Sequence, residues 1–196
     1  MMKDFTFNVP QDIIFGKGSL KRLPELLEKS GSKKMLLISG PVLKKIGMVE
    51  KVEEIVKASG IEVEVFTDVE ANPSVATVDK ATETYKKAGA TSIVAFGGGS
   101  PMDVAKAVGV LAKYGGDYEG AHKVPGPIVP IIAIPTTAGT GSEVTAFSVI
   151  TDEARNYKLT VFSYELIPSY ALLDPELVMT SPASVAAACG VDALIH

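Results

Sequence analysis

The sequence predicts an α/β fold: a parallel sheet with helices on both faces, followed by the opening helix of an all-α domain. Three observations carry that expectation. Short apolar runs alternate with amphipathic segments between residues 19 and 134, the order expected of strand–helix–strand units. KKMLLIS (33–39), TSIVAF (91–96) and IVPIIAI (128–134) are continuous apolar runs, as buried strands are. Loops rich in glycine and hydroxyls follow the last two, at the sheet edge where α/β folds bind ligands.

Taken in order, residues 5–15 hold two short apolar pieces around Val9-Pro10 and read as a hairpin or edge strands. After Gly16-Lys17-Gly18, Leu20, Leu23, Leu26 and Leu27 share one face of a helix over 19–29. The run 33–39 is a strand. Residues 42–59 read as one amphipathic helix ended by Gly60. Residues 61–66 alternate Ile or Val with Glu, a strand with one wet face. Helix 74–88 closes at Gly89, and strand 91–96, helix 100–114 and strand 128–134 follow. Beyond Pro135 the pattern changes, and 146–150, 157–162 and 170–173 read as three short strands. A last helix, 182–196, takes Ser181 as N-cap and Pro182 in its first turn.

The 196 residues are 46% hydrophobic and 21% charged, the balance of a globular protein with a sizeable core. A net charge of −4 leaves no basic surplus for nucleic acid. A single cysteine, Cys189, excludes an internal disulfide and fits a reducing compartment. No segment reaches the roughly 20 apolar residues needed to span a bilayer. The N-terminus, MMKDFTFNVP, lacks the apolar centre of a secretory signal. A cytoplasmic protein without a membrane partner is expected.

Gly97-Gly98-Gly99-Ser100-Pro101-Met102-Asp103 joins strand 91–96 to the next helix. Its glycines let the backbone turn sharply and let a ligand come close. Ser100 suits an N-cap, Pro101 the first helical position and Asp103 the third, a variant of the capping box. Free amides at the positive helix end form an anion site suited to a pyrophosphate. Taken alone, the loop also reads as a tight turn without a ligand. It follows the fourth strand-like segment, whereas the ordinary dinucleotide fingerprint opens its domain. The second loop, PTTAGTGSE at 135–143, offers hydroxyls on Thr136, Thr137, Thr140 and Ser142 beside two glycines. Such groups hold a phosphate or ribose without net charge; alone, the segment also reads as a flexible polar loop. The two loops together point to a nucleotide or sugar-phosphate.

Asp192 and His196 lie four apart in GVDALIH, on one helix face. They are within reach of a common ion, or of each other as an ordinary helix-stabilising pair. Two ligands are too few for a closed divalent site. The chain is therefore expected to end inside an active site that further residues complete.

GGGSPMDVAKA, PTTAGTGSEVT and GVDALIH, in this order and spacing, closely resemble the iron-containing (group III) alcohol dehydrogenases. So do Phe15-Gly16-Lys17-Gly18-Ser19, Asn72-Pro73 and Leu173-Asp174-Pro175-Glu176-Leu177. The resemblance covers the whole chain. It implies a Rossmann-like, dehydroquinate-synthase-like α/β domain over 1–180 that binds NADP or NAD. Over 181–196 it implies the first helix of a helical metal-binding domain whose remainder is absent. By the same resemblance Gly97, Gly98, Gly99 and Ser100 cradle the pyrophosphate, with Asp103 ordering the loop. Thr136, Thr137 and Thr140 line the adenosine and phosphate side, and Asn72 reaches the ribose or phosphate near the nicotinamide. Phe147 and Lys158 match positions beside the cofactor, although Lys158 reads equally as an exposed strand lysine. Asp192 and His196 match the first two metal ligands; the family's other two are histidines further on. His122, in GDYEGAHKVPGP, reads as a surface-loop residue. Gly40 stands where NAD-preferring members carry an Asp, and its lack of a carboxylate admits NADP.

The implied reaction is hydride transfer between a small alcohol or aldehyde and the nicotinamide, with Fe2+ or Zn2+ as Lewis acid. The chain by itself is expected to bind nucleotide without appreciable alcohol oxidation. Val185, Val191, Leu194 and Ile195 of the last helix favour self-association into a homo-oligomer. A glycerol-dehydrogenase- or dehydroquinate-synthase-like enzyme and a non-catalytic nucleotide-binding module stay open.

Overall fold

The structure, a computed structural model, describes residues 9–195; expectations for residues 5–8 and for His196 lie outside them. The elements are β1 (Asp12–Phe15), α1 (Leu23–Lys29), β2 (Lys34–Ile38), α2 (Pro41–Lys45), α3 (Met48–Lys57), β3 (Glu62–Phe66), α4 (Val75–Ala88), β4 (Ser92–Gly97) and α5 (Gly99–Lys113). Then follow β5 (Gly120–Ala121), β6 (Ile131–Pro135), β7 (Phe147–Asp152), β8 (Tyr157–Phe162), β9 (Tyr170–Leu173), α6 (Pro175–Val178) and α7 (Ala183–Ile195). Six strands form the main sheet in the order β1-β9-β6-β4-β2-β3. Every pairing within it is parallel.

Side-chain alternation explains the layers. In β4, Ile93 and Ala95 point into one core with Met102, Val104 and Val108 of α5 and Val78 and Tyr85 of α4. Val94 and Phe96 point into the other, with Leu23, Leu26 and Leu27 of α1 and Val49, Val52 and Val56 of α3. Both faces of the strand are buried, so it carries no polar alternation. Each fully buried Leu, Ile or Phe contributes about 1.5–3 kcal/mol of transfer free energy. No helix among the described residues is long and apolar enough to cross a membrane.

Four departures from the sequence reading have local causes. The expected helix 42–59 is two helices, broken where Gly47 takes a left-handed φ of 78°. The expected helix 19–29 opens with a 3-10 turn over Ser19–Arg22. Of the three strands expected after Pro135, β7 and β8 form an antiparallel pair, and the unforeseen β5 joins β8 in parallel. The third, β9, inserts into the main sheet between β1 and β6. Finally, the Ser181 hydroxyl does not cap α7; it donates to the carbonyl of Thr136 at 2.7 Å.

The order of the strands places the site. From β2 the chain adds β3 on one side, then returns to add β4, β6 and β9 on the other. The carboxyl ends of β2 and β4 therefore flank the topological switch point, where open α/β sheets form a ligand crevice.

Candidate cofactor site

A crevice of about 460 Å³ opens at that switch point. Gly40 and Pro41 after β2, Gly97–Pro101 after β4 and Thr136 after β6 line it, with Ser181 and Pro182 at the entry to α7. A larger cavity of about 1070 Å³ lies at the amino ends of the strands, beside Asp12, Ile131 and Tyr170, away from the glycine turn.

The glycine turn is built for close approach. Gly97 has φ 149°, and a Cβ there would stand 2.8 Å from Pro101 Cγ. A Cβ on Gly98 would stand 3.2 Å from Thr137 Oγ1, and one on Gly99 3.4 Å from Thr140 Cγ2. Bare backbone thus faces two threonines of the second loop. The loops are joined by Thr136 N donating to Gly97 O at 2.9 Å. Helix α5 begins two residues earlier than the expected Ser100 cap would set it. Gly98 is the N-cap, no side chain caps the first amides, and the first turn holds no acid. Ser100 and Pro101 are therefore second and third in the helix, and Asp103 is fifth. The free amides keep their pull on an anion.

Asp103 does not reach back to the glycine turn. Its Oδ1 accepts from Ser142 Oγ at 3.2 Å, so it orders the second loop. Lys106, one turn on, is fully buried. Its Nζ donates to the carbonyls of Thr145 (2.9 Å) and Phe147 (2.8 Å), and to Thr145 Oγ1 and Ser142 Oγ at 3.2 and 3.3 Å. Burial lifts the Asp103 carboxyl to about 6, against the opposing pull of Lys106 and Ser142. Burial likewise lowers Lys106 to about 8, while Asp103 and Glu143 act to raise it. The sequence reading gave Lys106 no role. The available signal was a lysine between Met102 and Gly109 on the apolar stripe of a helix, where only a paired cation is tolerated.

Glu70 and Ala71, just before the Asn72 turn, line the same crevice. Asn72 holds φ 54°, a left-handed conformation that Asn tolerates better than most residues. Lys158 Nζ donates to Asn72 Oδ1 at 2.8 Å, and Thr151 N donates to Pro73 O at 2.8 Å. The turn is thereby fastened to the β7–β8 pair, with Lys158 exposed. Phe147 is half-exposed and packs on Phe162, ring centroids 4.6 Å apart. His122 is an exposed loop residue, edge-on to Phe162 at 4.8 Å. Gly40 is the N-cap of α2, and a Cβ on it would meet Val69 O at 3.3 Å.

On α7, Asp192 is half-buried among exposed neighbours; His196 lies outside the described residues. Among the described residues no three His, Cys, Asp or Glu side chains group to hold a metal. The described site is thus a crevice lined by the glycine turn, with one carboxylate, Asp192, on the helix beyond it.

Comparison with known proteins agrees with this geometry. A family model described as "Iron-containing alcohol dehydrogenase" matches residues 10–175. The NAD-dependent methanol dehydrogenase of Bacillus methanolicus is 38% identical over 193 residues, 97% of this chain and 51% of the relative. The NADPH-dependent butanol dehydrogenase of Clostridium saccharobutylicum is 40% identical over 196 residues, 97% of this chain and 50% of the relative. The sulfoacetaldehyde reductase of Bifidobacterium kashiwanohense, solved in complex with NAD+, superposes with a TM-score of 0.90 at 34% identity. That match covers 97% of this chain and 51% of the solved one. The chain spans about half the length of the curated relatives it matches. It belongs to the iron-containing alcohol dehydrogenase family.

Proposed function

We propose that this chain is the dinucleotide-binding part of an NAD(P)-dependent alcohol dehydrogenase. One observation carries the reading: the glycine turn Gly97–Gly99 lines the switch-point crevice at an uncapped helix N-terminus, with Thr137 and Thr140 of the second loop packed against it. A diphosphate fits that cradle, because its charge meets free amides and its bulk meets no Cβ. Gly97, Gly98, Gly99 and Ser100 take the diphosphate; Thr136, Thr137 and Thr140 take the adenosine and phosphate side. Asp103 acts through Ser142, holding the second loop in place. Asn72, fastened to Lys158, takes the ribose near the nicotinamide, and Phe147 stands beside the ring. Gly40, with no carboxylate, accepts the 2′-phosphate of NADP. The bound nicotinamide supplies hydride transfer to or from the carbon of a small alcohol or aldehyde.

Residues 1–180 form the α/β domain in this reading, and 181–196 open a helical domain. Asp192 and His196 are its first metal ligands, for iron acting as a Lewis acid on the alcohol oxygen in a complete enzyme. The described residues do not by themselves make a metal site. In this reading the chain alone binds nucleotide without oxidising alcohols at enzyme rates. A cytoplasmic setting suits its free Cys189. Val191, Leu194 and Ile195 are 57%, 85% and 78% exposed, which favours self-association.

Titration with NADPH and NADH, followed by nicotinamide fluorescence, tests the reading. Saturable binding of both, tighter for NADPH, is expected. Absence of binding, or binding indifferent to Gly98→Ala, overturns it. A steady-state assay with added Fe2+ or Zn2+ and a primary alcohol tests inactivity, and ordinary turnover refutes it.

A further inference from the structure

Helix α7 meets the second loop at a point set by one glycine. Along α7 every residue is exposed except Cys189 and Asp192, which are half-buried. They are three apart and share a face of the helix. Against that face lies Gly139. A Cβ on Gly139 would stand 2.6 Å from the carbonyl oxygen of Cys189 and 3.0 Å from its Cα. Those atoms are helix backbone, so no side-chain rotation relieves the clash. Loop backbone rests on helix backbone, an approach that only glycine permits. Ser181 Oγ on Thr136 O makes a second tie at the start of the helix. The other side of the same loop faces the cradle, with Thr137 against Gly98 and Thr140 against Gly99. Ser142 and Thr145 anchor it to Asp103 and Lys106 of α5. The loop is thus a spacer between the dinucleotide cradle and the helix that carries Asp192.

We propose that Gly139 is a positioning residue: its missing side chain sets the height of α7, and so of Asp192, above the nucleotide loop. Its catalytic consequence rests on the reading of Asp192 as a metal ligand; the seating itself does not. A methyl at 139 must move from 2.6 Å to an ordinary contact of 3.4 Å, a displacement of about 0.8 Å. In a complete enzyme a misplacement near 1 Å costs about 10²-fold in rate.

Cys189 is the only cysteine, so its thiol reports the seat. The test compares the rate of maleimide labelling in the wild-type chain, Gly139→Ala and Gly190→Ala. A Cβ at Gly190 meets nothing within 4 Å, which makes that variant the control. Gly139→Ala is expected to raise the labelling rate severalfold in a chain that still unfolds cooperatively. Gly190→Ala is expected to leave labelling unchanged. An unchanged rate in Gly139→Ala, or an equal rise in Gly190→Ala, overturns the proposal. If Gly139→Ala does not fold, the wild-type chain decides. Cys189 should label more slowly than in the urea-unfolded chain, and equal rates refute the seat. Failure of the dinucleotide reading would appear separately, as loss of NADPH binding in every variant with the labelling pattern intact.

Discussion

Lys106 Nζ donates to the carbonyl oxygen of Phe147 at 2.8 Å, across 41 residues of sequence. With its bonds to Thr145 and Ser142, this fastens the end of the second loop and the start of β7 to the helix that carries the glycine turn. Substituting Lys106→Met keeps much of the apolar stem but strands the Thr145 and Phe147 carbonyls. A buried acceptor without a partner costs about 1–3 kcal/mol. The expected loss is roughly 3 kcal/mol in urea unfolding, with NADPH affinity lowered about tenfold as the loop loosens. Unchanged unfolding and unchanged affinity would show that the loop holds itself.

The same network gives stability and binding opposite responses to alkali. Lys106 titrates near 8 when folded, against 10.5 when free. Between those values the unfolded chain binds the extra proton, so this group's contribution to stability rises with pH and is lost as pH falls through about 8. Asp103, raised from 3.8 to about 6, contributes below 3.8 and loses that contribution as pH rises through 6. Both contributions are smallest between about 6 and 8, where both groups are charged. A neutral amine has fewer protons for its four oxygen partners, so loop order declines above pH 8. Asp103, Glu143 and Lys158 are the charged groups that act on this network. Relative to Lys106→Met, wild-type stability should rise from about pH 8 to 9 while NADPH affinity falls. Parallel movement of the two would detach the network from binding.

The sheet was legible because burial on both faces leaves an unambiguous mark: TSIVAF contains no charged residue, and Ser92–Phe96 are all buried. The positions of the two loops were legible because each follows a continuous apolar run that gives way to glycine or threonine. What escaped was tertiary. Gly47 breaks a helix whose apolar periodicity runs on through the break. Gly98 takes the cap position that Ser100 fits equally well on local grounds. Ser181 reaches Thr136 because β6 ends beside it, which no local pattern encodes. Lys106 was visible as a lysine on an apolar stripe, but its partners are 36 to 41 residues away.

Two neighbouring glycines should separate stability from binding. Gly97 has φ 149°, and a Cβ there meets Pro101 Cγ at 2.8 Å. Gly97→Ala should therefore cost about 1–3 kcal/mol of stability through backbone strain. Gly98 has φ −82°, ordinary for any residue, and its Cβ would meet only the Thr137 side chain, Oγ1 at 3.2 Å and Cγ2 at 3.6 Å. Gly98→Ala should leave the melting temperature within a few degrees, an effect of at most about 1 kcal/mol. Its NADPH affinity should nonetheless fall by tenfold or more, since the methyl intrudes on the diphosphate. Thermal unfolding and fluorescence titration of both variants read the contrast. Equal losses of affinity and stability in Gly98→Ala would remove the cradle from the argument.

In the proposed reading, Gly40 decides between the two coenzymes by what it lacks. Its φ of −101° accepts a side chain, and the nearest atom to a Cβ is Val69 O, at 3.3 Å, which a small shift relieves. It is also the N-cap of α2, a position where Asp is better than Gly by a few tenths of a kcal/mol. Gly40→Asp should therefore fold at least as well as the wild type. The new carboxylate would face the 2′ position of the adenosine ribose, repelling a phosphate and accepting a hydrogen bond from a hydroxyl. Lys44 cannot offset that charge freely, because its Nζ is already engaged by Glu50 at 2.9 Å. NADPH affinity should drop by about tenfold or more while NADH affinity rises. The reversal of preference, read by paired titrations, is the informative result. A variant that loses both coenzymes has lost the crevice; one that keeps its NADPH affinity shows that the 2′-phosphate does not lie beside Gly40.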